Sequence, residues 1–297
     1  MQNFITRPAA ALLKRIGLCL IVVILAACSL IRLGYNNGET ITYWWLNGYV
    51  GFHSSQQTWV TQRIDRLFAW HRETQLRDYV QLLAAAQRRL QHEVSKADVL
   101  ADYDALTTRL IRIIDETAPD LADLALSMDA ENVDRLEQKF ASNNDEYRKN
   151  YLRGDLQERQ EFRFKKIMDL AEYWFGHFSA EQQAVIRRAS DQRPLNNEMW
   201  FADRLQRQQT LIALLKQIQL EKPPRDAVAG MVKAYVNNNY LIHANASPKM
   251  LAFFDASKDS VAQLTAVIIN LATPEQKAHA NSRLQQWMDD FNALADK

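Results

Sequence analysis

Apolar side chains recur at intervals of three and four along most of the chain. Leu76, Tyr79, Leu83, Ala86 and Leu90 make one such row, and Val99, Tyr103, Leu106, Leu110 and Ile113 a second. Phe164, Ile167, Met168, Ala171, Trp174 and Phe175 form a third. Val261, Leu264, Ile268 and Leu271 follow, then Leu284, Trp287, Met288, Phe291 and Leu294. This spacing places each row on one face of an α-helix and predicts that the face packs inward.

Start and stop signals punctuate the rows. Ser54-Ser55-Gln56-Gln57 resembles a capping box opening a helix that carries Trp59, Arg63 and Phe68, and Ser95 with Asp98 opens another. Pro119 reads as a helix start, and Gly154-Asp155 separates two long helices. Ser179-Ala180-Glu181-Gln182 and Thr273-Pro274-Glu275-Gln276 share one form. In each a hydroxyl caps the helix and a Gln three residues on reaches back, with Pro274 at the first helical position. The two segments diverge beyond the cap, so shared cap chemistry, not an internal repeat, accounts for the likeness. Pro194, Pro223-Pro224 and Pro248 mark further breaks. After residue 27, Gly34, Gly38, Gly48 and Gly51 crowd one stretch, and only Gly154, Gly176 and Gly230 follow. Sheets with tight hairpins need more glycine than that. The pattern predicts an all-α, multi-helix bundle of about nine to eleven helices with short connections.

The N-terminus changes the picture. Met1 to Arg15 carries Arg7, Lys14 and Arg15 and no acid, Ile16 to Leu25 is almost wholly apolar, and Leu25-Ala26-Ala27-Cys28 closes the segment. A positive stretch, a short apolar stretch and small residues describe a secretory signal. The apolar run is shorter than the roughly 20 residues a membrane-spanning helix needs. Leu-Ala-Ala-Cys resembles the lipobox of bacterial lipoproteins. That resemblance implies cleavage between Ala27 and Cys28 and lipid on the Cys28 thiol. Two or more chains anchor a protein firmly where one binds reversibly. Ser29, where an Asp would favour the inner membrane, implies the outer membrane and its periplasmic face. The expected organisation is a signal peptide over 1–27, a lipidated aromatic and Gly-rich segment over 28–53, and an all-helical body over 54–297.

Charge and cysteine content then exclude several classes. Removing residues 1–27 takes three basic side chains and no acid, leaving 33 basic against 35 acidic. A near-neutral balance offers no footprint for nucleic acid. Cys19 leaves with the signal, so no disulfide can form and an apolar core must carry stability. None of the six histidines begins a His-Glu-x-x-His motif or follows a Glu by three. No Gly-x-Ser-x-Gly elbow or phosphate loop occurs. No metal or cofactor is expected, and no catalytic residue is assigned. Paired carboxylates in a cleft need no motif; Glu161, Asp169 and Glu172 share one helix, where a solvated polar face is the plainer account.

Two segments stand out. Residues 33–52 hold six aromatics and four glycines. As a helix capped by Asn37, they would carry Ile41, Trp44, Trp45 and Tyr49 on one broad face. That face is expected to dock on the body and bury Trp44 and Trp45; the alternatives are a bilayer surface, where Trp and Tyr are favoured, and a ligand groove. Tyr43, Trp44, Trp45 and Tyr49 are therefore candidate binding residues. The second segment is Phe68 to Leu76, at a break between helices. Trp70, His71 and Arg72 there could hold a carboxylate or a sugar, or could form a corner that satisfies helix-end carbonyls.

Cys28 with Tyr35-Asn36-Asn37, Tyr43-Trp44-Trp45-Leu46, Gly48-Tyr49-Val50 and Trp70-His71-Arg72 resembles a family of uncharacterised Gram-negative lipoproteins, a domain-of-unknown-function group. The resemblance implies the address and the helical fold and brings no activity. Leu271 to Gln276 also resembles the Leu-Thr-x-x-Gln motif of small periplasmic chaperones, without the adjacent Leu-Thr pair. The expected function is a non-catalytic envelope protein, held at the membrane through lipid on Cys28, that binds a protein, peptide or glycan partner, with a chaperone-like holdase as a variant. The alternative is an envelope enzyme acting on cell-wall or lipid material through scattered carboxylates or the His71 region. A deep cleft with two facing carboxylates would favour the enzyme, and a continuous apolar groove the binding protein.

Overall fold

The computed structural model of the chain describes residues 30–297. The signal-like segment, its Ala27-Cys28 junction and the lipidation site fall outside the described residues. Within them the chain is all-α, with twelve α-helices, one π-helical turn and no strand. In order these are α1 (Leu30–Asn36), α2 (Gly38–Val50), α3 (Ser54–Thr74), α4 (Leu76–Arg89), α5 (Lys96–Ser127) and α6 (Ala130–Tyr151). Then come α7 (Leu156–Phe175), α8 (Ala180–Asp191), α9 (Asn197–Glu221), α10 (Arg225–Val236), the π turn (Asn237–Leu241), α11 (Pro248–Leu271) and α12 (Pro274–Ala295). The α1–α2 and α3–α4 breaks fall at Asn37 and Gln75, where the sequence reading set a helix start and a break, with no proline at either.

Most cap readings hold. Ser95, Asp155, Ser179 and Thr273 each accept from the backbone N–H three residues on. The cap of α3 lies one residue earlier than the Ser54 reading: His53 is the N-cap, and its N–H donates to Gln56 Oε1 at 2.9 Å. Pro119 starts no helix but sits inside α5. It removes the N–H that would bond the Asp115 carbonyl; Asp115 is exposed, while the neighbouring Ala118 and Ala122 are wholly buried.

The apolar rows fill two cores. One gathers α2, α3, the C-terminal part of α5, α6, α9 and α10 around Val60, Ala122, Val133 and Ile218. The other gathers α4, α7, α8, α11 and α12 around Phe164, Phe178, Ile186 and Leu284. The row on α5 departs from expectation. Tyr103, Leu106 and Leu110 are exposed, because α10 and α11 pack on other faces of this helix.

Each core is closed by a pair of helix starts that cap one another. In the second core Gln182 and Gln276 exchange amide hydrogen bonds of 2.8 and 3.2 Å. Gln182 Nε2 also donates to the Leu271 carbonyl and Gln276 Nε2 to that of His177. Both carbonyls lie two residues before the partner's N-cap. The first core repeats the scheme. Gln56 Nε2 donates to Asn132 Oδ1 and to the Ser127 carbonyl, and Asn132 Nδ2 donates to the Gly51 carbonyl. Ser127 and Gly51 again lie two residues before the N-caps Asp129 and His53. Buried apolar residues precede all four caps: Phe52, Met128, Phe178 and Ala272. Gly51 reaches this turn with φ +66°, where a side chain would strain.

Candidate functional site

α1 and α2 lie along the body as the helical reading expects. Arg32 pairs with the buried Asp290 of α12, and Leu46, Tyr49 and Val50 pack into the first core. The two tryptophans do not follow. Trp44 is 65% exposed and Trp45 60%, so their expected burial is corrected. The physical reason is register. A helix that seats Leu46, Tyr49 and Val50 inward turns Ile41, Trp44 and Trp45 largely to solvent. Tyr43 stays partly buried against Phe52, with ring centroids 5.9 Å apart.

Beside α2 opens a cavity of about 540 Å³ between α2, α5, α6, α9 and α10. That lies within the usual roughly 300–1,000 Å³ of a small-molecule site. Trp45, Leu46 and Tyr49 make its α2 wall, Leu124 and Met128 come from α5, and Leu136 and Phe140 from α6. No Asp or Glu lines it. The Tyr49 hydroxyl oxygen accepts from Asn143 Nδ2 at 2.9 Å.

Polarity gathers at one end. Arg204, Arg207 and Gln208 of α9 line that end, together with Tyr235 and Tyr240. Arg207 is spoken for: it sits 3.0 Å from the buried Asp203 and 4.6 Å over the Tyr240 ring. Asp203 is also 3.5 Å from His243, which holds φ +46° just beyond the π turn. Tyr235 donates to the Arg207 carbonyl, and burial raises its phenol pKa. Arg204 donates to Asn144 Oδ1 at 2.8 Å, and no carboxylate lies within ion-pair distance of it among the described residues.

The Trp70-His71-Arg72 segment lies elsewhere. His71 bridges two tyrosines, with Tyr35 Oη 2.9 Å from Nδ1 and Tyr79 Oη 3.2 Å from Nε2. Burial lowers the His71 pKa and pushes the Tyr35 phenol up to about 12 against the opposing pull of Arg72. Arg72 faces Glu39 at 3.6 Å, and Trp70 remains partly exposed. His71 and Arg72 thus tie α3 to α1, α2 and α4, and none of the three lines the α2-walled cavity, whereas Trp45 and Tyr49 do. Among the described residues no group of three or more His, Cys, Asp or Glu is placed to hold a metal.

The sequence profile of DUF6279, described as a family of unknown function, matches residues 48–232, more than half of the chain. The chain belongs to that family. No curated protein and no solved structure matches it. The DUF6279 segment holds the first cap pair whole, only the Ser179 half of the second, and all three polar residues of α9 at the cavity. It leaves out the exposed tryptophans and all of α11 and α12. Sequence reasoning missed Arg204. On a helix rich in Gln and Arg it looks like one more solvated position, and only the absence of an acid three or four residues away on its own face could have marked it.

Proposed function

We propose that the chain is a lipid-anchored, periplasm-facing binding protein of the outer membrane, tethered through Cys28, with the α2-walled cavity as its ligand site. The observation that carries the binding reading is that cavity: apolar over most of its wall and without a carboxylate to act as acid or base. The rival enzyme would need two facing carboxylates there.

The anchoring part rests on the Leu25 to Cys28 pattern and gains support from α1 and α2. Ile41, Trp44 and Trp45 share an exposed face of α2 and Leu33 is exposed on α1, all a short way along the sequence from Cys28. Exposed tryptophans beside a lipid anchor suit the headgroup region of a bilayer. No helix among the described residues is long and apolar enough to cross a membrane.

Two measurements test the proposal. Metabolic labelling with an alkynyl fatty acid should mark the wild-type chain at Cys28 and leave Cys28→Ala unlabelled and uncut; normal processing of that variant overturns the anchor. The purified protein should bind the neutral apolar dye N-phenyl-1-naphthylamine with a rise in fluorescence, and Leu211→Trp, which fills the cavity, should suppress it. A dye signal indifferent to that substitution in a folded variant overturns the cavity as ligand site.

A further inference from the structure

The cavity is not uniform along its length, and its gradient specifies a ligand. One face of α9 supplies Arg204, Arg207 and Gln208 and then, over the next turns, Leu211, Leu215 and Ile218. From residue 204 to 218 the helix rises roughly 21 Å at about 1.5 Å per residue. The wall is therefore polar and cationic at one end and purely apolar over the remainder. Beyond Gln208 no polar side chain of α9 reaches the cavity. A peptide or a glycan lying along it would leave its N–H, C=O or hydroxyl groups without partners, at a cost an alkyl chain does not incur.

Resting on the reading of this cavity as the ligand site, we infer that its occupant is a single-chain anionic amphiphile. The alkyl chain lies along Leu211 to Ile218, and a carboxylate or phosphate head meets the Arg204 guanidinium. Arg207 already faces Asp203 at 3.0 Å and adds little net charge. Arg204 meets no carboxylate among the described residues: its Nε donates to Asn144, and its guanidinium carbon lies 5.8 Å from the Tyr147 ring centroid. Its remaining N–H groups form the fork that an oxyanion accepts in parallel. The α2 wall that carries Trp45 belongs to both the cavity and the exposed face, so the apolar chain has a short path from a bilayer surface.

The test is competition against N-phenyl-1-naphthylamine on the full mature protein. Palmitate and 1-palmitoyl lysophosphatidic acid represent the free-acid and lipid-headgroup sources, and hexadecanol is the uncharged chain. Both anions, or one of them, should displace the dye at least about tenfold better than hexadecanol, as one charge-assisted bond allows. Whichever anion wins identifies the source. Arg204→Gln should erase that preference, bringing both anions down to the level of hexadecanol; Arg207→Gln should lower it less. Dye binding with hexadecanol equal to both anions overturns this inference and leaves the cavity reading intact. Failure of the dye to bind overturns both, and an anion preference that survives Arg204→Gln moves the head group elsewhere and overturns the assignment.

Discussion

Asn132→Ala is the sharpest test of how the first core is closed. Asn132 is fully buried at the start of α6, and both ends of its amide are used. Nδ2 donates to the Val50 and Gly51 carbonyls at 3.2 Å each, and Oδ1 accepts from Asp129 N–H at 3.1 Å and Gln56 Nε2 at 3.3 Å. Truncation leaves two helix-end carbonyls of α2 and one N–H of the α6 cap without these partners, while Gln56 retains Ser127. Each net hydrogen bond contributes about 1 kcal/mol, and each orphaned buried group costs about 1–3 kcal/mol when water cannot reach it. A loss of about 3 kcal/mol is expected, read as a lowered urea midpoint with an unchanged slope. Asn132→Asp keeps the acceptor, loses both donors and sets a charge against two carbonyls, so it should cost at least as much. Gln276→Ala, in the other core, should cost about 2–3 kcal/mol by the same reasoning, and the two losses should add because the sites share no partner. A cost below about 1 kcal/mol for Asn132→Ala, or an Asn132→Asp variant as stable as wild type, would refute the paired-cap account.

Trp44→Ala with Trp45→Ala should change stability by no more than about 0.5 kcal/mol, as exposed sites do, yet weaken binding to phosphatidylethanolamine–phosphatidylglycerol vesicles; a large drop in melting temperature contradicts the outward register. Gly51→Ala should cost about 1–2 kcal/mol for the left-handed backbone, with the exposed Arg135 side chain swinging aside, and chemical denaturation reads it directly. Tyr35 should weaken the fold at high pH. Its folded pKa of about 12 lies above the ordinary 10.0, so its contribution is intact below pH 10 and fades as pH rises toward 12. A denaturation series over that range should be flatter for Tyr35→Phe, and identical slopes would remove the role given to its burial.

The parts of the fold that chemistry fixes locally were legible in the chain. Ser95, Asp155, Ser179 and Thr273 announce helix starts because an oxygen-bearing side chain at that position has a backbone N–H to satisfy whatever the rest of the protein does. Facing was less legible. The Tyr103–Leu106–Leu110 row and the Trp44–Trp45 pair have the spacing of a buried stripe and are exposed. Periodicity identifies a face but not whether another helix arrives to cover it. Asn132 and Arg204 were invisible for the converse reason. A polar residue on a helix looks solvated until the fold shows what stands opposite. Trp45 and Tyr49 were found because aromatic crowding is visible in one dimension, while the leucines that complete the cavity come from α5, α6 and α9, far along the chain.

The mutual caps carry an implication about cooperativity. When two stretches of chain serve each other through the same atoms, they are related as the two sides of a symmetric dimer interface are related. Here the amide exchange is complete in the second core and one-way in the first, and one member of each pair resembles the other in sequence: Phe52-His53-Ser54-Ser55-Gln56-Gln57 against Phe178-Ser179-Ala180-Glu181-Gln182-Gln183. Gln57 and Gln183 even return to the carbonyls of Phe52 and Phe178 in the same way. In both halves the first connection turns at a left-handed glycine, Gly51 or Gly176, and the second is a two-residue link, Met128-Asp129 or Ala272-Thr273. Each pair joins helix starts far apart in sequence, so neither turn can open without leaving carbonyls of the other unpaired, and the two caps of a core should open and close together.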